Sequence, residues 1–460
     1  MIFVVSIVAF FVTPFLLRKI FPDLISDPAF GDLVMLSRLL ILSPLFLGLS
    51  NLLSSITQMY NRFFIYALSP LVYNVGIIIG IVFFAPYHGL MGLGYGVALG
   101  AFLHFFIQVP FVVGRNLFPR ITLKLRFSDI WQVVRTSLPR TLALSSNEIA
   151  EFCFIIFASF LGVGSVSIFN FSWNLQSVPL SIIGVSYSLA VFPTLTRLHS
   201  SGNTKEFIQK IIISTKHIIF LSMPAAMLFI ILRAQVVRTI LGSGKFDWSD
   251  TRLTAAALAL FTFSLIPQCL ILLFVRAYYS SGATKKPVLI NILSSGLTIL
   301  LGYIFVQFSH LFPAVRGGIE TLLRVHDIPN TEVLVLPLAY TIGVTINMLI
   351  HWISFEKDFG AFTKHVSKSI FQVTSASIVL GIVSYTMLQI LAPFLDQETF
   401  TGIFLQGLIA GLSGIAAGVL VLMSLGSQEL KDMTTTLKHR IWKSTPLSPV
   451  SSDPAMSEIS

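Results

Sequence analysis

Apolar positions along the chain fall into long unbroken runs, not into the half-apolar stripes of helices that cover a soluble core. A helix that crosses roughly 30 Å of hydrocarbon needs about 20 such residues. Measured that way, the sequence predicts twelve spans, over 2–17, 33–57, 65–84, 90–113, 141–161, 166–193, 212–232, 253–275, 287–307, 333–355, 369–393 and 401–424. The first reads as a span and not as a signal peptide, because no basic segment precedes it and Arg18 and Lys19 follow it. The expected fold is therefore all-α, a polytopic helical membrane protein of about twelve transmembrane helices.

Composition agrees and narrows the function classes. Of the 460 residues 55% are hydrophobic and only 11% are charged, against roughly 25% charged in a soluble domain. Such a chain cannot cover a water-facing surface, which excludes a soluble enzyme, a disordered scaffold and a secreted disulfide framework. The net charge is +10, but Lys and Arg sit in the gaps between apolar runs and form no basic face, so no nucleic-acid partner is expected. Cys153 and Cys269 lie inside apolar runs and predict no disulfide. With the N-terminus inside, alternate gaps hold twenty Lys and Arg on the inner side and eight on the outer, Arg38 and Lys216 lying within spans. That imbalance predicts cytoplasmic termini.

Residues 114–140 form the one long gap with a pattern of its own. Ser128 can cap a helix in which Phe127, Ile130, Trp131 and Val134 recur at i, i+3, i+4 and i+7. This suits an amphipathic linker on the inner leaflet joining two bundles, with an ordinary solvated linker as the alternative. The tail 426–460 reads as cytoplasmic and, from Ser444 on, as disordered.

Two stretches resemble each other. Arg62-Phe63-Phe64 is followed by Pro70 to Asn74, and Arg276-Ala277-Tyr278-Tyr279 by Pro287 to Asn291. Each is an arginine with aromatics at a helix end, then Pro-x-x-x-Asn opening the next span, six spans apart in the same orientation. Chance agreement of two short motifs is the competing explanation. As a parallel repeat it divides the chain into an incomplete first lobe of four spans (1–113), the linker (114–140), a second lobe of six spans (141–355), a C-terminal helix pair (356–425) and the tail. Spans five and six then have no upstream counterparts, so two helices of the first lobe are expected to be missing, as in a truncated or split reading frame. The missing two-helix segment is then an expected partner.

Nothing reads as catalytic: there is no phosphate-cradling glycine loop, no metal-spaced His/Cys cluster and no nucleophile with its base, so the chain is expected not to be an enzyme. Glu148 and Glu151 are the sharpest polar signal, because carboxylates in a span are costly and face a cavity or a partner. Their i, i+3 spacing places them on one helix face. Snorkelling of Glu148 toward Arg140 is the plainer reading. Asn291 with Ser295, and Thr341 with Thr345, share faces at i, i+4, and their oxygens suit a hard cation; interhelical hydrogen bonding accounts for them equally. Arg62 and Arg276 lie at cytoplasmic helix ends, where an anionic substrate or simple positive-inside anchoring would place them.

Asn61-Arg62-Phe63, Pro70 to Asn74, Gln108-Val109-Pro110, Val178 to Val185 continuing to Phe192-Pro193-Thr194-Leu195-Thr196-Arg197, Arg276 to Ser280 and Thr284 to Pro287 together resemble the lipid II flippase family, also called MurJ or MviN, of the multidrug/oligosaccharidyl-lipid/polysaccharide exporter superfamily. The likeness runs from Met1 to about residue 425. It implies a fourteen-helix fold of which this chain matches the third to the fourteenth, and a bacterial inner-membrane carrier. Its substrate would be lipid II, the undecaprenyl-pyrophosphate-linked peptidoglycan precursor, flipped from the inner to the outer leaflet. The last two helices, here 369–393 and 401–424, would form a groove for the lipid tail. Asn174 stands at an aligned position where the family carries a cavity arginine, so Asn170, Asn174, Gln176, Asn74, Arg62 and Arg276 are the candidate substrate contacts. A sodium ion is the one candidate cofactor, because some members bind it on helices corresponding to those of Glu148, Glu151, Asn291, Ser295, Thr341 and Thr345. Membrane lipids and proteins of cell-wall synthesis are the remaining expected partners. The rival readings are a cation-coupled exporter of drugs or polysaccharide-linked lipids, and a transport-inactive partner of cell-wall synthesis.

The charge count yields a direct test of orientation. In intact cells an impermeant thiol reagent should label Lys245→Cys and spare Thr435→Cys; labelling of only the second would overturn the assignment.

Overall fold

In a computed structural model the chain is described over residues 2–21, 30–60, 63–115, 117, 127–244, 246–308, 313–360 and 362–442. Eleven helical stretches among the described residues are long and apolar enough to cross a membrane, and they coincide with eleven of the expected spans. The remaining one, 141–161, stands outside that count; it is the second half of a longer helix whose side chains over 135–144 and at 146 and 147 are outside the description. Contacts divide the chain into two units, 1–135 and 136–460.

The first unit contains α1 (Ile2–Ile20), α2 (Phe30–Leu40), α3 (Leu42–Met59), α4 (Phe63–Ile79), α5 (Ala85–His88), α6 (Leu90–Phe106) and α7 (Val109–Gly114). The unit boundary falls inside α8 (Phe127–Ser159). The second unit continues with α9 (Ser165–Pro179), α10 (Ser186–Ser200), α11 (Thr204–Ile231), α12 (Arg233–Leu241), α13 (Trp248–Thr262), α14 (Leu265–Ser280), α15 (Lys285–Gln307), α16 (Pro313–Leu323), α17 (Val335–Phe359), α18 (Thr363–Leu391), α19 (Phe400–Ser424) and α20 (Gln428–Trp442).

Several expected spans are interrupted, and proline explains two of the breaks. The run 33–57 is α2 plus α3, with a turn at Ile41 three residues before Pro44; the run 253–275 is α13 plus α14, with a turn at Phe263 and Ser264 before Pro267. A proline has no N–H for the carbonyl four residues back, Leu40 and Phe263 here, so the helix opens at that point. Two further spans contain π-helical turns, Gly80–Phe84 and Leu180–Val185, the second directly after Pro179.

The linker corrects one expectation. The amphipathic segment and the fifth span are one continuous helix, α8, with no break at 140. Pro139 sits inside it; one lost backbone bond is tolerated where the turns on either side continue the ladder. The repeat is also less regular than its motifs suggest. Pro287 opens α15, whereas Pro70 lies well inside α4, and Arg62 is outside the described residues. The tail begins with an ordered helix, α20, whose Glu429 is buried and accepts a hydrogen bond from Ser427 Oγ at 2.8 Å. The disorder expected from Ser444 falls outside the described residues.

Helices in lipid gain little from mutual burial of apolar surface, so close approach of backbones matters more. In the first unit α4 and the π-helical turn that continues it meet α6 through Gly76, Gly80, Gly92, Gly96 and Gly100, three of them spaced as Gly-x-x-x-Gly-x-x-x-Gly. A Cβ on Gly76 would strike the backbone of Gly100, and one on Gly80 that of Gly96. A polar seam joins α3 to α6: fully buried Gln108 donates to Ser50 Oγ at 2.6 Å and accepts from Ser54 Oγ at 3.0 Å, and Ser50 Oγ is 2.7 Å from His104 Nδ1. The second unit is built on aromatics, with Phe274, Tyr278, Phe355 and Phe362 in one fully buried cluster and Phe154, Phe169 and Phe261 in another.

The glycine seam makes a prediction. Gly96→Ala should lower the stability of detergent-purified protein by about 1–3 kcal/mol through overpacking. Gly31→Ala, with open space around it, should leave the melting midpoint unchanged or raise it. Equal midpoints for the two variants would show that α4 and α6 do not depend on this contact.

Candidate functional site

The second unit gathers most of the candidate residues. Phe154 of α8, Phe169 and Trp173 of α9, Phe261 of α13 and Tyr340 of α17 form one ring cluster, with Trp173 and Tyr340 centroids 4.7 Å apart and Phe169 and Phe261 5.4 Å apart. Glu151 lies one helical turn before Phe154, half-buried, and within electrostatic reach of Tyr340 and of Glu148, which is exposed. The two glutamates therefore share a face, as their spacing predicts.

The α9 amides are arranged less simply. Asn174 is exposed, and its Nδ2 donates to the Asn170 carbonyl at 2.8 Å, so its amide is turned back on its own helix. Gln176 is 1% exposed, and its Nε2 has no hydrogen-bond partner among the described residues. Asn74 stands exposed on α4, in the first unit. Arg62 lies outside the described residues.

Between α15 and α17, Asn347 Nδ2 donates to Asn291 Oδ1 at 3.2 Å. Thr341 Oγ1 donates to the Leu260 carbonyl at 2.8 Å and Thr345 Oγ1 to the Thr341 carbonyl at 2.7 Å, while Ser295 is buried. These hydroxyls thus have partners within the protein, and their lone pairs remain as potential cation ligands. Among the described residues no group of three His, Cys, Asp or Glu is placed to hold a metal.

Sequence reasoning missed a stripe on α17. Tyr340, Asn347, His351 and Asp358 recur at i, i+7, i+11 and i+18, one face of a helix. His351 is fully buried, with Nδ1 3.2 Å from the Asn347 carbonyl and Nε2 without a partner among the described residues. Asp358 accepts from Tyr278 Oη at 2.9 Å and from Lys286 Nζ at 2.5 Å. Arg276, two residues before Tyr278 on α14, is half-buried and has no ion pair among the described residues. Reading α17 for polar residues seven apart would have found the stripe. In the first unit a cavity of about 760 Å³ is lined by Phe10, Met35, Leu42, Met91 and Tyr95, with Arg38 the one charged lining residue among those described, 4.6 Å above the Phe10 ring. The position of Arg38 within a span was the signal for it.

The chain was compared with known proteins. The family model described as lipid II flippase MurJ matches residues 1–410. A probable lipid II flippase of Buchnera aphidicola subsp. Schizaphis graminum is 31% identical over 314 residues, covering 65% of this chain and 60% of its own. The lipid II flippase of Burkholderia cenocepacia is 28% identical over 284 residues, covering 60% of this chain and 55% of its own. The chain thus spans between half and three fifths of the curated relatives it matches. Among solved structures, an inward-closed lipid II flippase aligns with a TM-score of 0.72 at 21% identity, over 94% of this chain and 82% of that one. An inward-facing multidrug resistance transporter of the MATE family aligns with a TM-score of 0.64 at 16% identity, over 79% and 80%. These two likenesses show the fold.

Proposed function

The chain belongs to the lipid II flippase family, and we propose that it carries a prenyl-pyrophosphate-linked peptidoglycan precursor from the inner to the outer leaflet of the bacterial inner membrane by alternating access. The family match along most of the chain is the observation that supports this. Both termini face the cytoplasm in this reading, on the strength of the Lys/Arg imbalance. Flipping makes and breaks no covalent bond, so the chemistry required is recognition of a dianionic headgroup and its release.

Arg276 is the described residue best placed to meet that headgroup on the inner side. Arg276 is half-buried and has no ion pair among the described residues, and Asp358 is engaged by Tyr278 and Lys286. A guanidinium fork gives a pyrophosphate two parallel charge-assisted bonds, which the neutral amide of Asn174 cannot. Purified protein should therefore retain lipid II over a neutral prenol of equal chain length, and Arg276→Gln should weaken lipid II retention about tenfold. Equal retention of the two lipids by the unaltered chain would refute the proposal.

A second reading, cation-coupled export, is favoured by Glu148 and Glu151 on the ring-cluster face of α8, with Asn291, Ser295, Thr341 and Thr345 supplying oxygens for sodium. A cation bound only by the folded state stabilises it by about RT ln(1 + [L]/Kd), roughly 2.7 kcal/mol at a hundredfold excess. Glu151→Gln keeps the size of the side chain and removes the charge that offsets cation desolvation. On this reading the melting midpoint in sodium exceeds that in potassium at equal ionic strength, and Glu151→Gln abolishes the difference. No difference in the unaltered chain would remove sodium coupling.

A further inference from the structure

At the end of the second unit remote from Arg276, charge is distributed unevenly. Arg252 of α13 donates to both carboxylate oxygens of Asp327, at 2.7 and 2.6 Å, and also to the Arg324 carbonyl. The Arg252 hydrogen bond holds the Asp327 carboxyl down at about 2, so that it stays charged and its charge is matched by Arg252. Glu320 accepts from Thr331 Oγ1 at 2.5 Å. Asp327 and Glu320 are thus engaged by Arg252 and Thr331.

Two arginines remain. Arg324 sits at φ 60°, a left-handed conformation that is strained for a non-glycine residue, and the Arg252 clamp on its carbonyl maintains it there. Its Nη2 reaches Tyr385 Oη on α18 at 3.3 Å. Arg233, at the start of α12, is half-buried and, among the described residues, donates only to the Ile230 carbonyl, at 3.3 Å. Burial, and after it the charge of Arg324, pushes its guanidinium below the usual arginine range. Among the described residues neither arginine has an ion pair. Arg324 with the Tyr385 hydroxyl, and Arg233 within electrostatic reach of Arg324, make a donor set that suits an anion. Exposed apolar side chains lead away from it, with Ile378 and Ile382 preceding Tyr385 on one face of α18 and Leu322 beside Arg324.

We propose that Arg233, Arg324 and Tyr385 bind the phosphate of an anionic membrane lipid at this end of the second unit, its acyl chain lying along α18. The guanidiniums supply charge-assisted bonds, the tyrosine hydroxyl supplies one donor, and the membrane interface supplies the lipid at high local concentration. The site is independent of Arg276 and of whether the chain moves a precursor.

The test uses the full chain in detergent, titrated with phosphatidylglycerol against phosphatidylcholine and followed by melting midpoint and by lipid retained in native mass spectrometry. Phosphatidylglycerol should raise the midpoint selectively, and Arg233→Gln and Arg324→Gln should each shift the titration to about tenfold higher lipid, one charge-assisted phosphate contact being lost. Arg324→Lys should recover part of the loss. Arg197→Gln, at the opposite end, should titrate as the unaltered chain. Measuring each variant first in phosphatidylcholine separates a folding defect from lost lipid. Unchanged titrations in both glutamine variants would overturn the proposal. So would equal stabilisation by inorganic phosphate at the same concentration, which would make the ligand a free anion.

Discussion

Hydrocarbon offers no hydrogen bond to a backbone or a side chain, and the rest of this structure follows from that. Every N–H and C=O within a span must find its partner in the same chain, so the polypeptide is helical wherever it crosses. Because lipid is as apolar as leucine, helices are held together by backbone proximity, shape and internal polar pairs. The two units use these in different proportions. The first relies on five glycines between α4 and α6 and on Gln108 bridging to Ser50 and Ser54. The second relies on interlocked rings, with a small number of polar pairs such as Asn291 and Asn347 between them.

That constraint also decides what could be read from the sequence. Spans were legible because length and apolarity are local properties, and eleven of them lie where the runs place them. Breaks were legible in principle at Pro44 and Pro267, because a missing N–H is also a local fact. The continuity of α8 was not, since Pro139 and the polar residues around it look like a boundary and the helix passes through them. Of the candidate site, the intramembrane polar residues could be picked out by type, but their partners could not. Asn291 suggested a cation with Ser295 on its own helix; the structure gives it Asn347, whose pairing depends on the antiparallel register of α15 and α17. Arg38 and the α17 stripe were visible as residue types at suggestive positions, and only the neighbouring helices gave them meaning.

The two ends of the second unit treat charge by one rule. At each end a single aspartate is engaged by a basic residue on another helix, Lys286 with Asp358 at one and Arg252 with Asp327 at the other. Each leaves arginine over, Arg276 at the first end, Arg233 and Arg324 at the second. Exposed pairs of that kind contribute little to stability. Arg276 and Arg233, half-buried without an acid, are costly to the free protein, and a bound anion would recover that cost. A phosphate-bearing lipid can reach both places by diffusion in its own leaflet, with its chain remaining in hydrocarbon. Positive-inside anchoring would account for an unpaired arginine at the first end alone, so Arg233 and Arg324, at the second, need a different explanation.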